Sequence, residues 1–137
     1  MNLNIPYLET DNKLLNDAYR IAAGDIVGNI VYYQNGLLTE EKPCMIAGLD
    51  YNTPWTRDTA INIWNALSIL SPEVSKNTLL AVLEEEEGNI YIGGQYWDSI
   101  IWMIGAREYC RFHKDDNFYR LAFEAGRNSV HRLEEDE

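Results

Sequence analysis

Two short segments of this chain bring tryptophan, arginine and carboxylate side chains close together in sequence. The first is Pro54-Trp55-Thr56-Arg57-Asp58-Thr59-Ala60, the second Gln95-Tyr96-Trp97-Asp98-Ser99-Ile100-Ile101-Trp102-Met103. Their aspartates are 98 − 58 = 40 residues apart, the period of stacked helical hairpins. In each segment, ring and carboxylate stand where a loop enters a broadly apolar helix. Flat indole faces stack on the C–H faces of a sugar ring, while a guanidinium with short carboxylates and amides chelates neighbouring hydroxyls. Trp55, Arg57, Asp58, Gln95, Tyr96 and Trp97 are therefore candidate sugar-binding residues, and Asp98 stands beside them. Gly93-Gly94 either lets backbone approach a ligand or simply turns the chain. The plain alternative for Asp58 and Asp98 is helix capping, because the dipole favours a carboxylate in the first helical turn.

Five helices are predicted to position these residues. The first runs from about Asp11 to Gln34, with Thr10 or Asp11 as cap and Gly36 as stop. Gly24 and Gly28 lie one turn apart on it, which implies close approach of a neighbouring helix. The second spans about Arg57 to Leu70 with Thr56 as cap. The third starts at Ser71-Pro72-Glu73, with serine as cap and proline in the first turn, and runs to about Glu87. Glu84–Glu87 then reads as a solvated end that opposes the helix dipole. The fourth covers about Asp98 to Phe112, and the fifth starts near Asp115 or Asp116. Helices two and four are apolar over most of their girth and read as buried nearly all round. Asn89-Ile90-Tyr91-Ile92 is the one piece that reads as short extended chain. The expected fold class is all-α, a single domain over 1–137 built from antiparallel helical hairpins. Short links alternate with long ones, which places both long loops, and both Trp–Asp segments, at one end.

A length of 137 residues suits one domain. The net charge is 11 − 22 = −11, so nucleic acid and anionic membrane are not expected partners. The apolar runs are too short for a membrane span, and the first residues carry no signal-peptide pattern, so a cytoplasmic location is expected. Cys44 and Cys110, like His113 and His131, lack ligand spacing, so no metal and no cofactor are expected. The chain has 4 Trp and 9 Tyr against 3 Phe, an aromatic set with polar handles that suits either wet, ligand-facing surfaces or the edges of a large helical core.

The Trp-x-Arg-Asp element followed forty residues later by Trp-Asp-Ser-x-x-Trp resembles the signature of the six-hairpin glycosidases. These include glucoamylases, the glucosidase part of glycogen debranching enzymes and neutral invertases. Arg107-Glu108-Tyr109, Asp115-Asp116-Asn117-Phe118, Ala125 and Asn128-Ser129 are similar to the helix pair that follows. The resemblance implies part of an (α/α)6 toroid with helices two and four on its inner wall. It implies hydrolysis of a glucoside-like oligosaccharide, with Arg57 and Asp58 binding the sugar and Asp98 as general acid or sugar ligand. Glycoside hydrolysis needs two carboxylates, about 6.5–9.5 Å apart in an inverting enzyme. The family's second carboxylate comes from a late hairpin that five helices do not reach. The chain is thus expected to be part of a larger glycosidase or a homo-oligomer. The alternative is a non-catalytic helical module that binds sugar or self-associates. Asp98→Asn is nearly isosteric and keeps a capping role, so it is expected to leave stability almost unchanged.

Overall fold

A computed structural model describes residues 5–48 and 50–135. The element order is α1 Lys13–Gly28, β1 Ile30–Tyr33, β2 Lys42–Met45, α2 Thr56–Asn62, a π-helical turn Ile63–Leu67, α3 Ser68–Leu70, α4 Pro72–Ala81, β3 Leu83–Glu86, β4 Asn89–Ile92, α5 Tyr96–Phe112 and α6 Asp116–Glu135. The segments from α2 through the π turn to α3 run on as one rod. The all-α expectation is overturned. The described chain is mixed α and β, with five helical rods and two antiparallel two-stranded sheets, β1–β2 and β3–β4.

Strands β1 and β3 occupy places expected to be helix ends, for a local reason, whereas β2 lies in an expected loop and β4 is the piece expected to be short extended chain. Asn29 closes α1, and the β-branched and aromatic run Ile30-Val31-Tyr32-Tyr33 is a better strand than helix. It pairs from Ile30↔Met45 to Tyr33↔Lys42. The expected third helix stops at Ala81, and Glu87 and Gly88, at φ 50° and 81°, make the two-residue turn that folds Leu83–Glu86 back on Asn89–Ile92. Glu84, Glu85 and Glu86 thereby escape an unfavourable place at a helix C-terminus and pair with β4 from Leu83↔Ile92 to Glu86↔Asn89.

Each hairpin is tied to a helix. In the β1–β2 loop, Gly36 (φ 59°) passes so close to α4 that a methyl group there would lie 2.6 Å from the carbonyl oxygens of Leu80 and Leu83. Leu37 N–H donates to Leu80 O at 3.1 Å and Asn35 Nδ2 to Ala81 O at 3.3 Å, so this loop satisfies carbonyls that the end of α4 leaves open. Ile92 N–H donates to Ser129 Oγ at 2.8 Å, and Asn128 Nδ2 donates to Ile90 O at 3.0 Å, which ties β4 to α6.

The core lies between the α2–α3 rod, α4, α5 and α6. Ile63, Leu67, Val74, Leu79, Leu83, Trp102 and Phe118 are fully buried there. Burial of each large apolar side chain contributes about 1.5–3 kcal/mol. Trp102 also donates from Nε1 to Leu79 O at 3.3 Å. Helix α2 packs backbone to backbone against α5, where a methyl at Gly105 would lie 2.8 Å from Ala60 Cα. Gly24 and Gly28, by contrast, have open space beside them. α1 contains no buried residue and meets the core through Ile26.

The caps are partly as expected. Ser71 Oγ accepts from Val74 N–H at 3.4 Å, and Asn12, not Thr10 or Asp11, caps α1. Thr56 does not cap α2, because its hydroxyl donates to Gly93 O instead. The rods expected to be buried all round each keep an open apolar stripe: Ile61, Trp64 and Ile69 on one, Ile100 and Ile104 on α5. No helix among the described residues is long and apolar enough to cross a membrane.

Candidate sugar-binding site

The N-termini of α2 and α5 stand side by side. Thr56 Oγ1 donates to Gly93 O at 2.8 Å, joining the entry of α2 to the loop before α5 across 37 residues of sequence. The two Trp–Asp segments thus meet at one end of the molecule, as their spacing predicts.

Asp98 lies at the centre, buried to 8% exposure. Its Oδ1 accepts from Arg57 Nε at 3.0 Å, with Arg57 Nη2 also 3.0 Å away. Its Oδ2 accepts from Gln95 N–H at 2.9 Å, while Asp98 N–H donates to Gln95 O at 2.8 Å. The capping role and the arginine contact therefore coexist, one on each carboxylate oxygen. Gly94 makes this possible. It takes φ 113°, and a methyl group there would lie 2.5 Å from Asp98 Oδ2.

The expected residues line two adjoining concavities instead of one mouth. Trp55, Arg57, Asp58, Gly94, Gln95 and Asp98 line the first, about 390 Å³. Glu84, Tyr91, Gln95, Tyr96, Trp97 and Arg132 line the second, about 490 Å³. Gly94 and Gln95 border both and form the ridge between them. The rings face outward, with Trp55 55%, Tyr96 64% and Trp97 68% exposed. Tyr51 meets Trp55 edge to face at 5.6 Å, which helps hold that indole upright.

Glu84, Tyr91 and Arg132 were not legible as site residues. Glu84 and Tyr91 are cross-strand partners, visible only once Glu87-Gly88 is read as a hairpin turn. Arg132 arrives from α6. Its guanidinium carbon lies 3.4 Å from the centre of the Tyr91 ring, and Nη2 meets Glu86 at 2.6 Å.

Chemically, the site offers exposed rings, a half-exposed guanidinium held in a fixed plane, and the Asp58 carboxylate beside it. That set suits a neutral polyhydroxyl ligand. Among the described residues, no three His, Cys, Asp or Glu side chains gather where a metal ion could be held. No family model, curated protein or solved structure matches the chain.

Proposed function

We propose that this chain binds a neutral carbohydrate at the paired N-termini of α2 and α5, in the manner of a six-hairpin glycosidase. The observation that carries the reading is the Arg57–Asp98 contact at 3.0 Å, which holds a guanidinium in the concavity lined by the exposed indole of Trp55, with the exposed indole of Trp97 in the adjoining one. Arg57 and Asp58 address hydroxyls, Trp55 and Trp97 stack on ring faces, and Gln95 and Tyr96 border the ligand. The carbohydrate is a glucoside-like oligosaccharide, and the open apolar stripes of α2 and α5 are covered by a second copy or by further hairpins of a larger glycosidase.

Within this reading Asp98 has two possible duties. As general acid it must present a proton to a glycosidic oxygen. In the present geometry both of its oxygens accept hydrogen bonds, which favours a positioning duty and a binding module without catalysis. Hydrolysis through Asp98 needs Arg57 to swing off Oδ1 when sugar enters.

Titration of the purified chain with glucose and maltotriose, followed by tryptophan fluorescence, tests the reading. Arg57→Lys is expected to weaken binding about tenfold or more, since a point charge cannot replace a planar fork. A folded protein that binds neither sugar at millimolar concentration removes the carbohydrate reading.

A further inference from the structure

We propose that the concavity beyond the Gly94–Gln95 ridge is a second sugar subsite, so that the ligand is an oligosaccharide lying across the ridge. This rests on the carbohydrate reading and extends it to a wall made by β3, β4 and α6.

Three observations carry the proposal. The two concavities share a border only two residues wide, Gly94 and Gln95, and both have volumes in the range of ligand pockets. Gly94, one of the two, has no room for a side chain, since a methyl there would lie 2.5 Å from Asp98 Oδ2. Backbone alone therefore separates the two concavities at Gly94, with Gln95 beside it.

The second concavity also has its own recognition set. Trp97 and Tyr96 offer exposed faces. Arg132 lines the same concavity, its guanidinium carbon 3.4 Å from the centre of the Tyr91 ring and its Nη2 2.6 Å from Glu86. This wall thus carries a guanidinium held by a ring and a carboxylate, with further N–H groups to offer hydroxyls. Glu84 adds a carboxylate beside it, with no ion pair among the described residues. The guanidinium charge is already met by Glu86, and the whole chain carries −11. An anionic ligand such as a sugar phosphate or a nucleotide is disfavoured, and a neutral saccharide unit fits.

The test compares ligand length. Glucose and maltotriose are titrated into the wild-type chain and into Arg132→Ala, with two-dimensional amide and indole NMR as readout. Maltotriose is expected to bind wild type about tenfold or more tightly than glucose, and to shift the Trp97 indole and the Arg132 side chain. Arg132→Ala is expected to bring maltotriose down to the glucose affinity while glucose binding stays as in wild type. The Tyr91→Ala variant, on the same wall, is expected to behave alike and guards against a misfolded first variant. Equal affinity of wild type for both sugars overturns the second subsite and leaves the first reading standing. So does an Arg132→Ala variant that keeps the maltotriose advantage. Failure of both sugars to bind a folded wild type removes both readings together.

Discussion

Arg57 and Asp98 lie 41 residues apart in sequence and meet at 3.0 Å across the paired N-termini of α2 and α5. The same carboxylate takes the Gln95 N–H on its other oxygen. Each oxygen faces a donor, so an amide in this place must turn its own N–H₂ towards one of them.

Asp98→Asn is therefore not the neutral change that near-isostery suggests. It is expected to destabilise the fold by about 1–2 kcal/mol, the low end for lost charged hydrogen bonds because Arg57 is half exposed. Urea unfolding measures it. A variant within a few tenths of a kcal/mol of wild type would show that neither bond matters to stability.

Glycine substitutions should separate tight from open positions. Gly105→Ala drives a methyl into the Ala60 backbone and is expected to cost about 1–3 kcal/mol. Gly24→Ala meets nothing within 4 Å and is expected to stabilise α1 by about 0.5–1 kcal/mol. Thermal melts that rank the two in the opposite order contradict the packing described.

Asp115 predicts an acid limb of stability. The Lys76 ammonium at 2.6 Å, and then the Phe118 N–H at 3.0 Å, hold its carboxyl below the ordinary 3.8. A lowered folded-state value means the ionised form is the stabilised one. The contribution is fully present above about pH 5 and is lost as pH falls below 3.8 through the lowered value. Asp115→Asn is expected to flatten the stability profile in that window, read from unfolding midpoints between pH 2 and pH 6. An unchanged slope removes Asp115 from the acid response.

The two thiols should differ in reactivity. Cys44 is fully buried, and burial pushes its thiol up to about 12. Cys110 is also raised by burial but lies half-buried on the α5–α6 groove. A maleimide at pH 8 is expected to label Cys110 slowly and Cys44 only after denaturation. Mass spectrometry of the native protein carrying label on Cys44 contradicts this.

The open stripes of α2, the π turn, α3 and α5 predict association. Ile61, Trp64, Ile69, Ile100 and Ile104 are all exposed, and large apolar side chains left open on two neighbouring rods are what an interface covers. Sedimentation at micromolar concentration is expected to show a dimer or larger species, and Trp64→Glu to shift it toward monomer. A wild-type species sedimenting at 15.8 kDa overturns the prediction.

Much of the helical frame was legible because apolar periodicity and Ser-Pro starts act over a few residues. The rod from Thr56 to Leu70, α5 and α6 follow from such signals. The meeting of the Trp55–Asp58 and Trp97–Asp98 segments was legible as well, from a repeat of forty residues that sets both at one end. Of the strands only Asn89–Ile92 was, as a short extended piece. Ile30–Tyr33 and Leu83–Glu86 are too short for a period to declare itself, and only pairing with Lys42–Met45 and Asn89–Ile92 makes them strands. The division of the site into two concavities was also hidden. It depends on how near Gly93 and Gly94 lie to Glu84 and Asp98 and on Arg132 arriving from α6, distances that no local pattern encodes. Sequence by itself determined which residue types stand at the helix entries. Tertiary structure decided which oxygen meets which donor, because that follows from packing between segments far apart in the chain.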